Sequence, residues 1–363
     1  MSPHPRHISR LECEAPEAPE TGLTIGPRTV SDVTSVLRYA TEHSLVVQVW
    51  GGGTHSGYGN PPVPDLVMSM HQIDSVERWE PDDLTVVVGA GARVETVEAM
   101  LAERNQSLVM PEVPGAATIG GVIAAGASSL RRGRLYGTRE RVLEVTMVTG
   151  DGRTVRSGGR VVKNVTGYDL HRLAVGAFGS LGVIVSVCLK LWPTPSGAAT
   201  VEVDDLDVAA RIARPLAVLE TNGGIRVYLQ GTEAEVESQA DRLDGHVISG
   251  LDWPEDPDGP WRWSLRVPPA GTTEAIQRLP VDWRYVAVHG VGEVRCASTD
   301  PVGAGSMREW AESIGGHLVM TRGDGSVVDP WGTPPPGLDL QRRLIAEFDP
   351  ARVINPGRLP GGL

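Results

Sequence analysis

Apolar residues fall at helical spacing across Ser31–His43, where Val33, Val36, Leu37 and Ala40 share one face, with Ser31 as the predicted N-cap. That helix leads into an apolar run, Leu45–Trp50, read as a strand and followed at once by a glycine-rich turn. Ser75–Arg78 and Leu84–Val88 read as further strands, and Val94–Arg104 as a second amphipathic helix. Downstream, Arg141–Thr149 and Arg153–Arg156 flank Asp151-Gly152, a strong hairpin signal, and Val183–Leu191 closes the block as a strand. The prolines of Trp192-Pro193-Thr194-Pro195-Ser196-Gly197 can continue neither element, which predicts a boundary there.

Beyond it the texture changes. Short strands at Gly224–Leu229, Trp261–Val267 and Tyr285–His289 alternate with helices at Glu233–Leu243 and Met307–Ile314. Pro330–Gly337 is a second break, after which Leu338–Phe348 is helical and Asp349–Leu363 is an extended tail expected to dock on the body. The expected fold class is α+β. Residues 1–16 form a disordered N-terminus, 17–196 a first domain of two α+β subdomains, 197–336 a smaller α+β cap, and 337–363 a segment packing back on the first domain.

Composition narrows the function classes. A chain of 363 residues with 40% hydrophobic and 21% charged residues is globular and long enough for two domains. A net charge of −12 argues against wrapping nucleic acid or docking directly on anionic lipid. Cys13, Cys188 and Cys296 are too widely spaced for a disulfide framework, a zinc site or an iron–sulfur cluster, which fits a reducing cytoplasm. Met1–Glu20 lacks an apolar signal core. Pro114 and glycines break the uncharged run Val113–Leu130, and glycines break Leu173–Leu189, so neither is expected to span a membrane.

The candidate chemistry lies in glycine. The chain has no G-x-G-x-x-G and no Gly-Lys pair, so neither a Rossmann fingerprint nor a Walker A loop is present. Two other runs of small residues stand out: Gly51-Gly52-Gly53-Thr54-His55-Ser56-Gly57 directly after a strand, and Pro114 through Gly126. Glycines let consecutive N–H groups converge on an anion, and Gly120-Gly121 can open a helix whose positive end adds to the attraction.

These loops, in this order, resemble those of the vanillyl-alcohol-oxidase-like flavoproteins, whose PCMH-type FAD-binding domain carries a GGG-T/S loop and a P-G-x-x-x-x-G-G loop. Within that superfamily the chain is similar to the FAD-binding subunits of glycolate oxidases. Further matching residues are Tyr136-Gly137, Val162–Leu170, Phe178–Ile184 and the tail from Phe348 through Asn355-Pro356-Gly357-Arg358-Leu359. The resemblance implies that Gly51, Gly52, Gly53 and Thr54 hold the FAD pyrophosphate from one side and Pro114, Thr118, Gly120, Gly121 and Gly126 from the other. It places Gly137 beside the flavin or ribityl chain, Val183 and Ile184 at the adenine side, and Asn355 where the tail returns to the cofactor. Family members with a tethered flavin carry His directly after the first-loop glycines; here His55 comes later, so non-covalent FAD is expected.

Oxidising a 2-hydroxy acid requires a cation for the carboxylate, a base for the hydroxyl, and the α-carbon held against the flavin. Relatives with a complete site carry a His/Asp/Glu metal cluster in the cap. This chain has only His317 and Gly323-Asp324-Gly325 there, so no metal is expected and no catalytic residue is assigned. His289, Arg226, Arg295 and Arg322 are read as structural, and Tyr168 and Asp169 as helix entry, with Asp169 as N-cap. The implied activity is that of a subunit oxidising a small 2-hydroxy acid to a 2-oxo acid, alongside a second flavin subunit and an iron–sulfur subunit. Membrane association, if present, runs through those partners. The rival readings are a self-sufficient FAD oxidase or dehydrogenase of another hydroxylated substrate and a structural subunit with non-cycling FAD.

Overall fold

The computed structural model describes residues 8, 10–13, 22–112, 115–160 and 168–363. Strands β1 (Leu23–Ile25), β2 (Val47–Trp50) and β3 (Leu66–Ser69) form a parallel sheet in the order β1-β3-β2. The helix Val30–His43 covers it, burying Val33, Val36, Leu37 and Ala40 against Val47, Leu66 and Met68. Its N-cap is Thr29 rather than Ser31. Thr29 Oγ1 accepts from Asp32 N at 3.1 Å while an Asp32 carboxylate oxygen accepts from Thr29 N at 3.1 Å, a reciprocal box that Ser31 has no carboxylate placed to complete.

Next along the chain are β4 (Val76–Glu80), β5 (Thr85–Gly89), β6 (Gln106–Ser107), β7 (Val142–Val148), β8 (Thr154–Gly158), β9 (Val183–Lys190) and β10 (Trp192–Pro193). Five of them make an antiparallel sheet, β4-β5-β9-β7-β8. The Asp151-Gly152 turn joins β7 to β8 as expected, with Gly152 at φ +78°. Helices Val94–Ala102 and Ile119–Ala125 pack on this sheet through Val97, Leu101, Val122 and Ile123. Pro193 does not wholly end extended structure: β10 pairs with β6 for two residues.

The remaining strands are β11 (Gly197–Val203), β12 (Ala217–Thr221), β13 (Gly224–Gly231), β14 (His246–Ser249), β15 (Trp261–Arg266), β16 (Arg284–Val288), β17 (Glu293–Ser298) and β18 (His317–Arg322). They form one antiparallel sheet in the order β14-β11-β13-β12-β16-β17-β15-β18. The two-residue period of a strand sorts its side chains. On β15, Trp263 and Leu265 join a core with the helices Thr272–Arg278 and Ala304–Ser313, while Arg262, Ser264 and Arg266 line a cavity. Leu318 and Met320 of β18 join the same core, and His317, Val319 and Thr321 line the cavity. Elsewhere the sheet meets the first half of the chain, where Leu219, Tyr228 and Val288 pack with Val109, Leu130 and Leu135.

The helix Leu338–Phe348 forms with the predicted bounds and sends Ile345 and Phe348 into the core beside the five-stranded sheet. The tail then docks: Ile354 bridges Val47 in parallel, with Val47 N donating to Val353 O at 2.7 Å and Asn355 N to Val47 O at 2.9 Å. At the other end, part of the stretch expected to be disordered is packed. Ile8 and Leu11 are buried and Glu12 bridges Ile25, because two apolar side chains find a seat beside β1. Among the described residues no helix is long and apolar enough to cross a membrane.

Candidate functional site

The first glycine loop leaves β2 at Trp50 and turns through Gly53 at φ +71°. The second runs into the helix Ile119–Ala125, whose N-cap Thr118 accepts from Gly121 N at 3.2 Å. The two loops pack backbone against backbone: a Cβ on Gly51 would collide with Thr118 Oγ1, and one on Gly52 with Ala116 O. Only glycine permits that approach.

A cavity of about 1490 Å³ opens at this junction and runs beneath β15, β17 and β18, and a smaller one of about 90 Å³ adjoins it at the cradle. Gly51, Gly52, Thr118, Gly121 and Asn355 line the smaller cavity, Gly126 and Gly137 the larger, and Gly53 and Thr54 both. Gly120 lies beneath, where a Cβ would stand 2.7 Å from that of Ala90. Val183 and Ile184 line neither cavity; their side chains are buried in the core as β9. Pro114 and most of the Val162–Leu170 motif lie outside the described residues. Tyr168 is exposed. Asp169 is not a cap: it sits 3.7 Å from Arg172, and Ser157 Oγ accepts from His171 N at 3.1 Å in its place.

The cradle is completed by residues from distant segments; Asn355 is among those expected from the sequence, whereas no role is assigned there to Arg358 or Trp331. His55 Nδ1 lies 2.9 Å from Thr54 Oγ1, and desolvation first, then the charge of Arg295, lowers its pKa to about 4. Asn355 Oδ1 accepts from Val49 N at 3.1 Å and its Nδ2 donates to Phe178 O at 2.8 Å, so the tail ties β2 to the Phe178 turn. Arg358 donates to His55 O at 3.1 Å and to Ser56 O at 2.8 Å, and burial lowers its pKa to about 10. Trp331 stands edge-on to Phe178 at 5.6 Å and donates to Arg358 O at 3.0 Å.

The opposite wall is ionic. Glu293 lies 3.2 Å from Arg266, 3.2 Å from Arg295 and 3.4 Å from Arg132. Burial pushes the Glu293 carboxyl up, but those three arginines outweigh it and leave its pKa below the ordinary range. Arg295, largely buried, also meets Asp256 at 2.8 Å and Ser128 O at 2.7 Å. Arg295 and Arg322 line the cavity, whereas Arg226 pairs with Glu202 and Asp252 and His289 with Glu220, outside the cavity lining. Arg262 pairs with Asp258, yet its Nε is buried without a hydrogen-bond partner. His317, next to Arg266 in register, has its pKa lowered by desolvation and by that charge. No group of three or more His, Cys, Asp or Glu among the described residues could hold a metal ion.

The cradle suits a dinucleotide. Its glycines let a ligand approach the backbone closely, and the larger cavity, about 1490 Å³, exceeds the ~300–1,000 Å³ usual for small ligands. Gln48, on β2 at the smaller cavity, has a buried Oε1 with no partner, which a ligand hydroxyl or amino group would satisfy. Residues 22–158, which contain both cradle loops, match the family described as FAD binding domain, and with the relatives below this makes the chain an FAD-dependent oxidoreductase. The chain is similar to the glycolate oxidase subunit GlcE of Escherichia coli K12, 27% identical over 87% of this chain and 92% of that protein. The D-lactate dehydrogenase of Archaeoglobus fulgidus is 36% identical over 49% of this chain and 40% of its own length, and the Bacillus subtilis glycolate oxidase subunit GlcD 32% identical over 52% and 41%. The chain thus spans less than half of those two proteins. A solved structure of alkyldihydroxyacetonephosphate synthase shares the fold at TM-score 0.65, with 13% identity over 92% of this chain and 75% of that one.

Proposed function

We propose that this chain is the FAD-binding subunit of a glycolate oxidase or dehydrogenase, working on a small 2-hydroxy acid with a second flavin subunit and passing electrons to an iron–sulfur subunit. The observation that carries the reading is the buried, unpartnered Nε of Arg262 on a cavity that continues from the FAD cradle. A buried donor without an acceptor is costly, and a substrate carboxylate would satisfy it with a charge-assisted bond. FAD, when bound non-covalently in the cradle, supplies a hydride acceptor. Arg262 and Arg266 orient the carboxylate, and residues 197–336 act as the cap that excludes water from it. His317, kept neutral by its surroundings, accepts the hydroxyl proton. The similarity to nearly the full length of GlcE supports the subunit role, and residence in the cytoplasm, with any membrane contact through partners, follows from that role.

The test is the visible spectrum under anaerobic conditions before and after glycolate is added, for the single chain and for the chain co-purified with its partners. The expected result is bound flavin, released by acid precipitation, that bleaches when glycolate is added to the complex. Bleaching by the chain alone would establish a self-sufficient enzyme. Full activity of the complex with a redox-inert flavin analogue in this subunit would reduce its cofactor to scaffolding.

A further inference from the structure

We propose that Arg358 is the built-in counter-cation of the FAD pyrophosphate, a positive charge held at the cradle for the cofactor's anion rather than for any acid of the protein. The proposal extends the FAD assignment and is independent of the substrate.

Four observations converge. Arg358 is 7% exposed, so its guanidinium is almost wholly removed from water. It forms no ion pair among the described residues, and burial is the sole influence on its pKa, with no carboxylate near enough to offset it. A buried charge without a partner is strongly unfavourable, and protein interiors keep one only where something neutralises it. Second, its position is fixed: Nη2 donates to His55 O and Ser56 O, and the guanidinium carbon sits 5.9 Å from the centre of the Phe178 ring. Among the described residues Nε and Nη1 donate to nothing, which leaves donors on both nitrogens available for phosphate oxygens.

Third, those free donors have an anion site to serve. Arg358 lines the smaller cavity together with Gly51, Gly52, Gly53, Thr118 and Gly121, residues of the two loops that form the cradle. Fourth, that cavity's described lining contains no Asp, Glu or Lys and no other Arg, and its single histidine, His55, is neutral well above pH 4. One full positive charge therefore stands alone at the place where a dinucleotide carries its negative charge.

The proposal separates charge from shape, and so does its test. Arg358→Gln keeps a donor for the two carbonyls and removes the charge; Arg358→Lys keeps the charge. FAD is stripped from the purified chain and from both variants, Kd is measured by quenching of flavin fluorescence on re-addition, and the Tm of each apoprotein is recorded. The expected result is a Kd for the Gln variant at least tenfold above that of the Lys variant, equivalent to about 1.4 kcal/mol, with a Gln apoprotein Tm no lower than that of the Lys apoprotein. A Gln-to-Lys ratio below tenfold, or a Gln apoprotein that melts below the Lys apoprotein, would show that Arg358 merely pins the loop. A wild-type chain that takes up no FAD would overturn the cofactor assignment and this proposal with it, an outcome distinguishable from the others because it needs no variant.

Discussion

At the scale of single residues, the cradle depends on what is missing from glycine. Gly52 has the carbonyl of Ala116 where a Cβ would be, while a Cβ on Gly121 meets only Thr118 Oγ1 at 3.0 Å. Gly52→Ala is therefore expected to push the loops apart, costing about 1–3 kcal/mol as an overpacked site and lowering FAD occupancy at least tenfold. Gly121→Ala should retain flavin to within a few-fold, and absorbance per chain after gel filtration compares the two. His55 supplies a pH signature. Its pKa falls from 6.5 to about 4, so the folded state binds fewer protons than the unfolded chain between those values. Stability from the neutral imidazole is complete above pH 6.5 and is lost as pH drops toward 4, with an upper limit of about 3 kcal/mol. The Tm of the wild-type chain should fall more steeply over that window than that of His55→Gln; parallel curves would assign the acid sensitivity elsewhere.

Elements were legible where their signals are local. The Asp151-Gly152 hairpin and the helix Leu338–Phe348 follow from turn chemistry and a 3.6-residue period, and both form as read. The helix opened by the second loop was also legible, and Thr118 caps it. Thr118→Ala removes that cap at a cost of about 1 kcal/mol. A drop in Tm of roughly 1–2 °C is expected for a chain of 363 residues, and an unchanged Tm would mean that packing against β5 and β9 alone fixes the helix. The cap of the first helix was misplaced by two residues because Thr29 and Ser31 are both good cap types and only Asp32, reaching back, separates them. The site's ionic wall was illegible for a different reason. Glu293, Arg295, Arg266 and Arg132 meet through cross-strand register and a contact between distant segments, and no spacing in a single chain encodes which side of a strand faces a cavity.

For the whole molecule, the large antiparallel sheet has one set of side chains in a hydrophobic core and the alternate set on the cavity beside the cradle, so a single sheet both roofs that cavity and carries the arginines that face it. Arg132–Glu293 and Arg295–Ser128 O join that sheet to the first half of the chain across the cavity. The tail closes the arrangement from the other side, where Arg358 holds His55 O across 303 residues of sequence. That separation sets an order of events during synthesis. At about 5–20 residues per second, the ribosome needs roughly 15–60 s to travel from the first glycine loop to the segment that locks it. A nascent chain can fold its early sheets in that interval, but its cradle lacks both Asn355 and Arg358. A cradle that takes its flavin only with Asn355 and Arg358 in place would therefore load after synthesis of the chain.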